Sequence, residues 1–407
     1  MKEYNTCTLP NGLRIIHEVS PTQVVYCGYT VCAGTRDESP EEQGMAHFCE
    51  HMTFKGTERR RAWHILNRLE CVGGDLNAYT NKEETVYYAA LPKAHFPRAV
   101  ELLSDIVFHS TYPQHEIDRE VEVIIDEISS YEDSPSELIF DQFESMLFEG
   151  HPLAGNILGS PDSLHTFRTA DARRFTDRYY RPAGTTFFVY GQVDFDTVVR
   201  LVERHTAGLS TEPVTKAAPA LPPYTPRELT VDRHTHQAHV LIGTRSYSAY
   251  DPRRIGLFLL NNLLGGPGMN SRLNVSLRER NGLVYNVESN LSSYTDTGVW
   301  SIYFGCDAAD VDRCRHLVGK ELQRLTDKAL TPSQLETAKR QLKGQIDVSC
   351  DNFESYALAM GKVFAHYGHY RDIDRLLEQI DTLTADGLLD IARETFAPEQ
   401  LTTLIYN

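Results

Sequence analysis

Gly44-Met-Ala-His-Phe-Cys-Glu-His-Met-Thr-Phe-Lys-Gly56 places His47, Glu50 and His51 in one short run. On a helix, residues four apart share a face, so His47 and His51 can offer two imidazole nitrogens to one metal ion. Glu50 sits one turn on from His47 and beside His51, within reach of a water held by that metal. Two neutral imidazoles, a third protein ligand, an open water position and a carboxylate base make up the donor set of zinc-assisted hydrolysis. H-x-x-E-H is the inverted form of the commoner zinc-peptidase motif. Short motifs also arise by chance, and a solvated helix face carrying His and Glu is the competing reading. Against it stand Ala46, Phe48 and Met52, apolar neighbours that embed the imidazoles in a partly buried segment where unpaired polar groups are costly. Gly44 makes the helix entry. Cys49, two residues from each His, points to a different face and reads as packing.

The third ligand is sought in Glu116 to Tyr131, EIDREVEVIIDEISSY, where Ile117, Val121, Ile124, Ile125 and Ile128 recur at helical spacing. Glu120 and Glu127 are two turns apart and share a side of that helix, next to the apolar stripe. Either could bind the metal while the other assists the base or polarises substrate. Glu116, Glu122 and Asp126 read as solvated. Spacing within the helix does not choose between Glu120 and Glu127.

His47-Phe-Cys-Glu50-His51 followed by Glu127 resembles the signature of the pitrilysin, insulin-degrading enzyme and mitochondrial processing peptidase family, in its short two-domain form. The flanking text matches as well: Gly34-Thr-Arg-Asp-Glu38, His51-Met-Thr-Phe-Lys-Gly-Thr57, Gly73-Gly-Asp-Leu-Asn-Ala-Tyr-Thr80 with Glu83, Thr85 and Tyr87, and Tyr131-Glu-Asp-Ser-Pro135. The resemblance implies one Zn²⁺ per chain with Glu127 as third ligand, and Glu120 as an acidic residue kept near the site. It extends over nearly the whole chain, from about Thr8.

Other features bound the alternatives. A chain of 407 residues exceeds what one hydrophobic core usually serves, so two or more domains are expected. A formal net charge of -16 argues against nucleic-acid binding, which needs basic surface. No apolar run approaches the ~20 residues of a membrane span, and Met1 to Thr6 lacks the apolar core of a secretory signal. The eight cysteines form no C-x-x-C pair and no disulfide framework. A reducing, cytoplasmic setting is expected.

The stretch Gly208 to Pro226, rich in Pro, Ala, Ser and Thr, reads as a linker between a zinc-binding domain (1–207) and a metal-free domain (227–407). The halves look like diverged copies. Strand-like Val24 to Glu38 is answered by Gln237 to Asp251. The His47 helix is answered by one that Gly256 opens, reading Leu259-Leu-Asn-Asn-Leu263. Counting from Pro113 and Pro332 sets Lys339 against Glu120 and Ile346 against Glu127. Every ligand and base position is thus replaced, and the second half is expected to bind no metal. The fold class is α+β: each half a mainly antiparallel sheet with helices packed on one side. Gly265-Gly-Pro-Gly268 is a turn, not a phosphate loop, because it lacks the Gly-Lys-Ser/Thr ending and the preceding strand.

Leu277-Arg-Glu-Arg-Asn-Gly-Leu-Val-Tyr285 resembles the family's Arg and Tyr pair that reaches the substrate. By that resemblance Arg278 holds a substrate carbonyl or carboxylate and Tyr285 donates to the developing oxyanion; taken alone they would be surface and packing groups. The expected activity is zinc-dependent endopeptidase or oligopeptidase cleavage of unfolded peptides in an enclosed chamber. Glu50 is the base, and the peptide adds as a strand beside Asn77, Ala78 and Tyr79. Retention of both residue sets favours a homodimer. The alternatives are a presequence-type processing peptidase, a non-catalytic subunit, or a metal-binding scaffold without turnover.

Overall fold

The computed structural model describes residues 4–407. Six strands, β1 (Tyr4–Thr8), β2 (Arg14–Glu18), β3 (Val24–Val31), β4 (Asp75–Thr80), β5 (Thr85–Pro92) and β6 (Thr185–Tyr190), form a sheet in the order β1-β2-β6-β3-β5-β4. A second sheet holds β7 (Glu228–Val231), β8 (Ala238–Ser246), β9 (Val284–Ser293), β10 (Gly298–Cys306) and β11 (Thr402–Tyr406), in the order β7-β11-β8-β10-β9. Every pairing is antiparallel except β2 with β6 and β7 with β11. Without β1, the two sheets have the same order and carry their parallel pair at the same place. That common wiring is the structural form of the duplication, and the α+β reading holds.

The strands form where β-branched and aromatic residues cluster, as in β6, Thr-Thr-Phe-Phe-Val-Tyr, every residue of which is buried. A strand buried on both faces needs cover on both. The first compact unit (Met1–Ser129, Gly155–Ala220 and Ser349–Arg371) supplies it from distant segments. Helix Phe96–Phe108 lies on one face, where the Tyr29 and Ser104 hydroxyls are 2.8 Å apart. Helix Phe353–Tyr367 lies on the other. Its Gly361 meets Phe188 so closely that a Cβ there would stand 2.5 Å from the ring. From the same helix Lys362 Nζ (2.6 Å) and His366 Nε2 (2.9 Å) reach the fully buried Glu84.

The second unit (Ser130–Ala154, Leu221–Val348 and Asp372–Asn407) repeats the scheme. Helix Arg254–Gly265, two residues longer at its start than the glycine reading, covers one face, with Asn261 donating to the Ser289 carbonyl at 2.9 Å. Ile139, Phe143 and Met146 of helix Pro135–Leu147 pack on the other, against Leu241, Leu404 and Tyr406. Each sheet therefore carries the helices of its own half on the expected side. One helix from the other half of the sequence covers the second side. No helix among the described residues is long and apolar enough to cross a membrane.

Candidate metal centre

The helix that carries the histidines, Met45–Thr53, starts at Gly44, whose φ of 91° suits glycine. A Cβ at Gly44 would also stand 2.7 Å from Gly159 Cα. Its first turn is capped from a distance: Glu38 accepts hydrogen bonds from the Gly44 and Ala46 amides, each at 2.8 Å. A carboxylate at a helix N-terminus satisfies orphan N–H groups and faces the positive end of the dipole. Burial nevertheless pushes the Glu38 carboxyl well above its ordinary value, against the pull of those two amides. Every residue of the helix except His51 is buried, which fixes its roll and so the direction of both imidazoles.

One ligand atom each from His47, His51 and Glu127 fall within 4.8 Å of one another. Glu127, on helix Gln114–Glu132, brings Oε2 to 3.6 Å from His51 Nε2 and 3.9 Å from His47 Nε2. Glu120, two turns earlier on that helix, lies on the opposite side of the His51 ring, with Oε1 3.0 Å from Nδ1. Its other oxygen, Oε2, is 2.5 Å from Lys55 Nζ. The two carboxylates that spacing left open thus face different nitrogens of one histidine. Glu50 is buried beside them, and Thr80 Oγ1 donates to its Oε2 at 2.6 Å.

The electrostatics follow from this packing. Burial and the neighbouring His51 push the His47 imidazole down to about 3, so it is neutral at ordinary pH, as a ligand must be. For His51 burial acts downward, but the Glu120 hydrogen bond and the Glu50, Glu120 and Glu127 charges outweigh it and raise the value. Burial likewise acts upward on Glu120, yet His51 and Lys55 hold it below the usual range. Glu50 is raised by burial, which the Thr80 hydroxyl only partly offsets. Glu50, Glu120 and Glu127 gather about His51 with the Lys55 ammonium paired to Glu120 alone, a surplus of carboxylates that favours a cation. Two imidazoles and one carboxylate are a donor set that suits Zn²⁺. Cys49 is fully buried with Sγ towards the Ala172 carbonyl, a packing contact.

Asn77, Ala78 and Tyr79 lie on β4, the edge strand of the first sheet. Thr80 ends that strand, so the hydrogen bond to Glu50 ties the open edge to the buried carboxylate. Arg278, in the helical turn Asn274–Glu279, and Tyr285, on the edge strand β9, belong to the second unit. They meet each other: Arg278 Cζ is 5.5 Å from the Tyr285 ring centroid, and Tyr285 is 83% exposed. At the positions answering Glu120 and Glu127, Lys339 donates to the Asp381 carbonyl at 2.8 Å and Ile346 is buried. Two groups at the metal centre escaped the motif reading. Lys55 stands four residues beyond His51, the same spacing that joins the histidines, and could have been found that way. Thr80 carries no such signal, because only the fold brings it to Glu50.

Residues 14–161 match the family described as Insulinase (Peptidase family M16), and residues 166–342 match the Peptidase M16 inactive domain. The zinc protease YmxG of Bacillus subtilis (strain 168) is 33% identical over 98% of this chain and 97% of its own. A zinc protease of Streptomyces coelicolor is 32% identical over 95% of this chain and 86% of its own. In fold, the chain resembles a protease from Helicobacter pylori, with a TM-score of 0.89, 22% identity and 100% of both chains covered. It also resembles a peptidase M16 inactive domain from Pseudomonas fluorescens, with a TM-score of 0.91, 17% identity and 99% and 98% covered. With about a third of its residues shared along nearly its full length, and both halves matched in order, the chain belongs to the insulinase family of peptidases, M16.

Proposed function

We propose that the protein is a zinc-dependent endopeptidase that cuts unfolded peptides. The observation that carries this reading is the convergence of His47, His51 and Glu127 within 4.8 Å, with the buried Glu50 held alongside by Thr80. His47, His51 and Glu127 would hold one zinc per chain, and bound zinc supplies Lewis acidity to the scissile carbonyl and makes the attacking water more acidic. Glu50 takes the proton of that water at the oxygen that Thr80 does not hold, then passes it to the leaving amine. Burial, by raising Glu50, brings it closer to the range in which a base both accepts and returns a proton.

The open edge of β4 supports a binding mode in which peptide adds as a strand beside Asn77, Ala78 and Tyr79. Backbone pairing then gives affinity with little dependence on sequence. By family resemblance, Tyr285 donates to the developing oxyanion and Arg278 holds a substrate carbonyl or carboxylate. The exposure of Tyr285 is what such a role needs. The same reading makes the protein a cytoplasmic homodimer that encloses its substrate, and so selects peptides of tens of residues over folded proteins.

The test is digestion of a mixed peptide library by zinc-loaded protein, with cleavage sites read by mass spectrometry. Glu50→Gln should keep its zinc while hydrolysis falls ~100-fold or more. Wild-type turnover in that variant removes Glu50 as the base. Rapid degradation of a stable folded domain removes the size selection.

A further inference from the structure

We infer that Lys55 is a positioning residue of the metal centre: its ammonium aligns Glu120, and Glu120 in turn fixes the His51 ring with Nε2 presented to the metal. The inference rests on the reading of His47, His51 and Glu127 as zinc ligands.

A ligating imidazole is oriented by what its second nitrogen bonds to, and loss of that partner typically costs 10–100-fold in metal affinity. The two histidines here are not equally served. His47 Nδ1 is buried and has no hydrogen-bond partner among the described residues. His51 Nδ1 has Glu120 Oε1 at 3.0 Å. The orientation of His51 therefore depends on Glu120, a buried carboxylate whose second oxygen also needs a partner. Lys55 is what holds it, with Nζ 2.5 Å from the second oxygen. Clamped at both oxygens, the carboxylate cannot turn without breaking an ion pair. Lys55 follows the helix of the histidines and Glu120 lies on the helix of Glu127, so the pair also joins the two elements that bring the ligands together.

Two further observations set this apart from a chance surface ion pair. Among the described residues, Lys55 has no carboxylate partner other than Glu120. An ammonium beside a site for a dication is also, by Coulomb's law alone, unfavourable to metal binding. Its presence there makes sense if alignment outweighs repulsion. The two effects have opposite signs, and that decides the experiment. Lys55 is 29% exposed and Glu120 only 7%, so the pair is half-buried, and removing the ammonium leaves a buried carboxylate less well compensated.

Zinc affinity of the full-length protein is measured by competition with a chromophoric chelator for wild type, K55M, K55R, E120Q and the double variant K55M/E120Q. The expected result is a Kd raised ~10–100-fold in K55M and restored in K55R, with the metal-free K55M protein still folded and unfolding cooperatively. In the E120Q background K55M should add nothing, because its effect passes through Glu120. Nitrogen-15 shifts of His51 in metal-free protein should report one tautomer in wild type and a mixture in K55M. If K55M fails to fold, K55Q should give the same direction of change. Zinc binding as tight as wild type or tighter in K55M overturns the inference, as does full additivity with E120Q. A wild-type protein that binds no zinc overturns the metal-centre reading itself, and the inference with it.

Discussion

Thr80→Val should move the acid limb of the pH–rate profile without removing the metal. Thr80 Oγ1 donates to Glu50 Oε2 at 2.6 Å, and both side chains are buried. Valine keeps the branched shape and strand preference of threonine and replaces the hydroxyl with a methyl group. A hydrogen bond to a charged acceptor contributes ~1.5–3 kcal/mol, and ~1.4 kcal/mol corresponds to one decade in a protonation equilibrium. The hydroxyl stabilises the carboxylate form of Glu50 and so opposes burial, which raises that group. Its loss must raise Glu50 further. Because the base works only when deprotonated, the acid limb of kcat/KM should shift upward by roughly one to two pH units. On the alkaline side of that limb the rate should return close to wild type. The assay is cleavage of an internally quenched peptide across pH, with zinc content measured on the same samples. An unmoved acid limb in a variant that retains zinc would refute the reasoning: either Thr80 does not tune Glu50, or Glu50 is not the base.

His51→Ala and Glu127→Gln should each lose most of the bound zinc, since each removes one of three protein ligands; full occupancy of Glu127→Gln by metal analysis would take the third-ligand role from Glu127. Tyr285→Phe should lower kcat more than it raises KM, because the lost hydrogen bond forms mainly in the transition state, and an unchanged rate would exclude the second unit from the chemistry. Glu84→Gln leaves Lys362 and His366 facing a neutral side chain, and the urea unfolding free energy should fall towards the lower end of ~3–5 kcal/mol, since Lys362 is 40% exposed; a loss under ~1 kcal/mol would mean the helix Phe353–Tyr367 docks without this pair. Burial raises the Glu84 carboxyl, but His366 and Lys362 outweigh it and hold it down at about 2. Its stabilisation is therefore complete above the ordinary value of 4.5 and is lost as pH falls through about 2, an acid-dependent loss that Glu84→Gln should abolish.

The residues of the candidate metal centre were largely legible in the chain because most of them are local. His47 and His51 lie one helical turn apart, and Glu50 stands between them, so a periodicity of 3.6 residues suffices to put them on one helix. The duplication was legible too, since strand and helix patterns recur in the same order. Topology repeats it, with β2-β6-β3-β5-β4 answered by β7-β11-β8-β10-β9. The choice between Glu120 and Glu127 was not legible from spacing. Both share a side of one helix, and which oxygen faces Nδ1 or Nε2 of His51 depends on how that helix crosses the other.

What the sequence determined by itself is the residue kinds, the local elements and the repeat, because these rest on spacing along one chain. Tertiary structure alone decided the rest. It brought Thr80 to Glu50 across 30 positions, Lys55 to Glu120 across two elements, and Glu38 to the start of the histidine helix. It also placed Phe353–Tyr367 on the first sheet and Pro135–Leu147 on the second. Hydrophobic periodicity records that a face is buried, not which helix buries it, and apolar surface is satisfied by any partner of the right shape. Only the packed fold selects that partner.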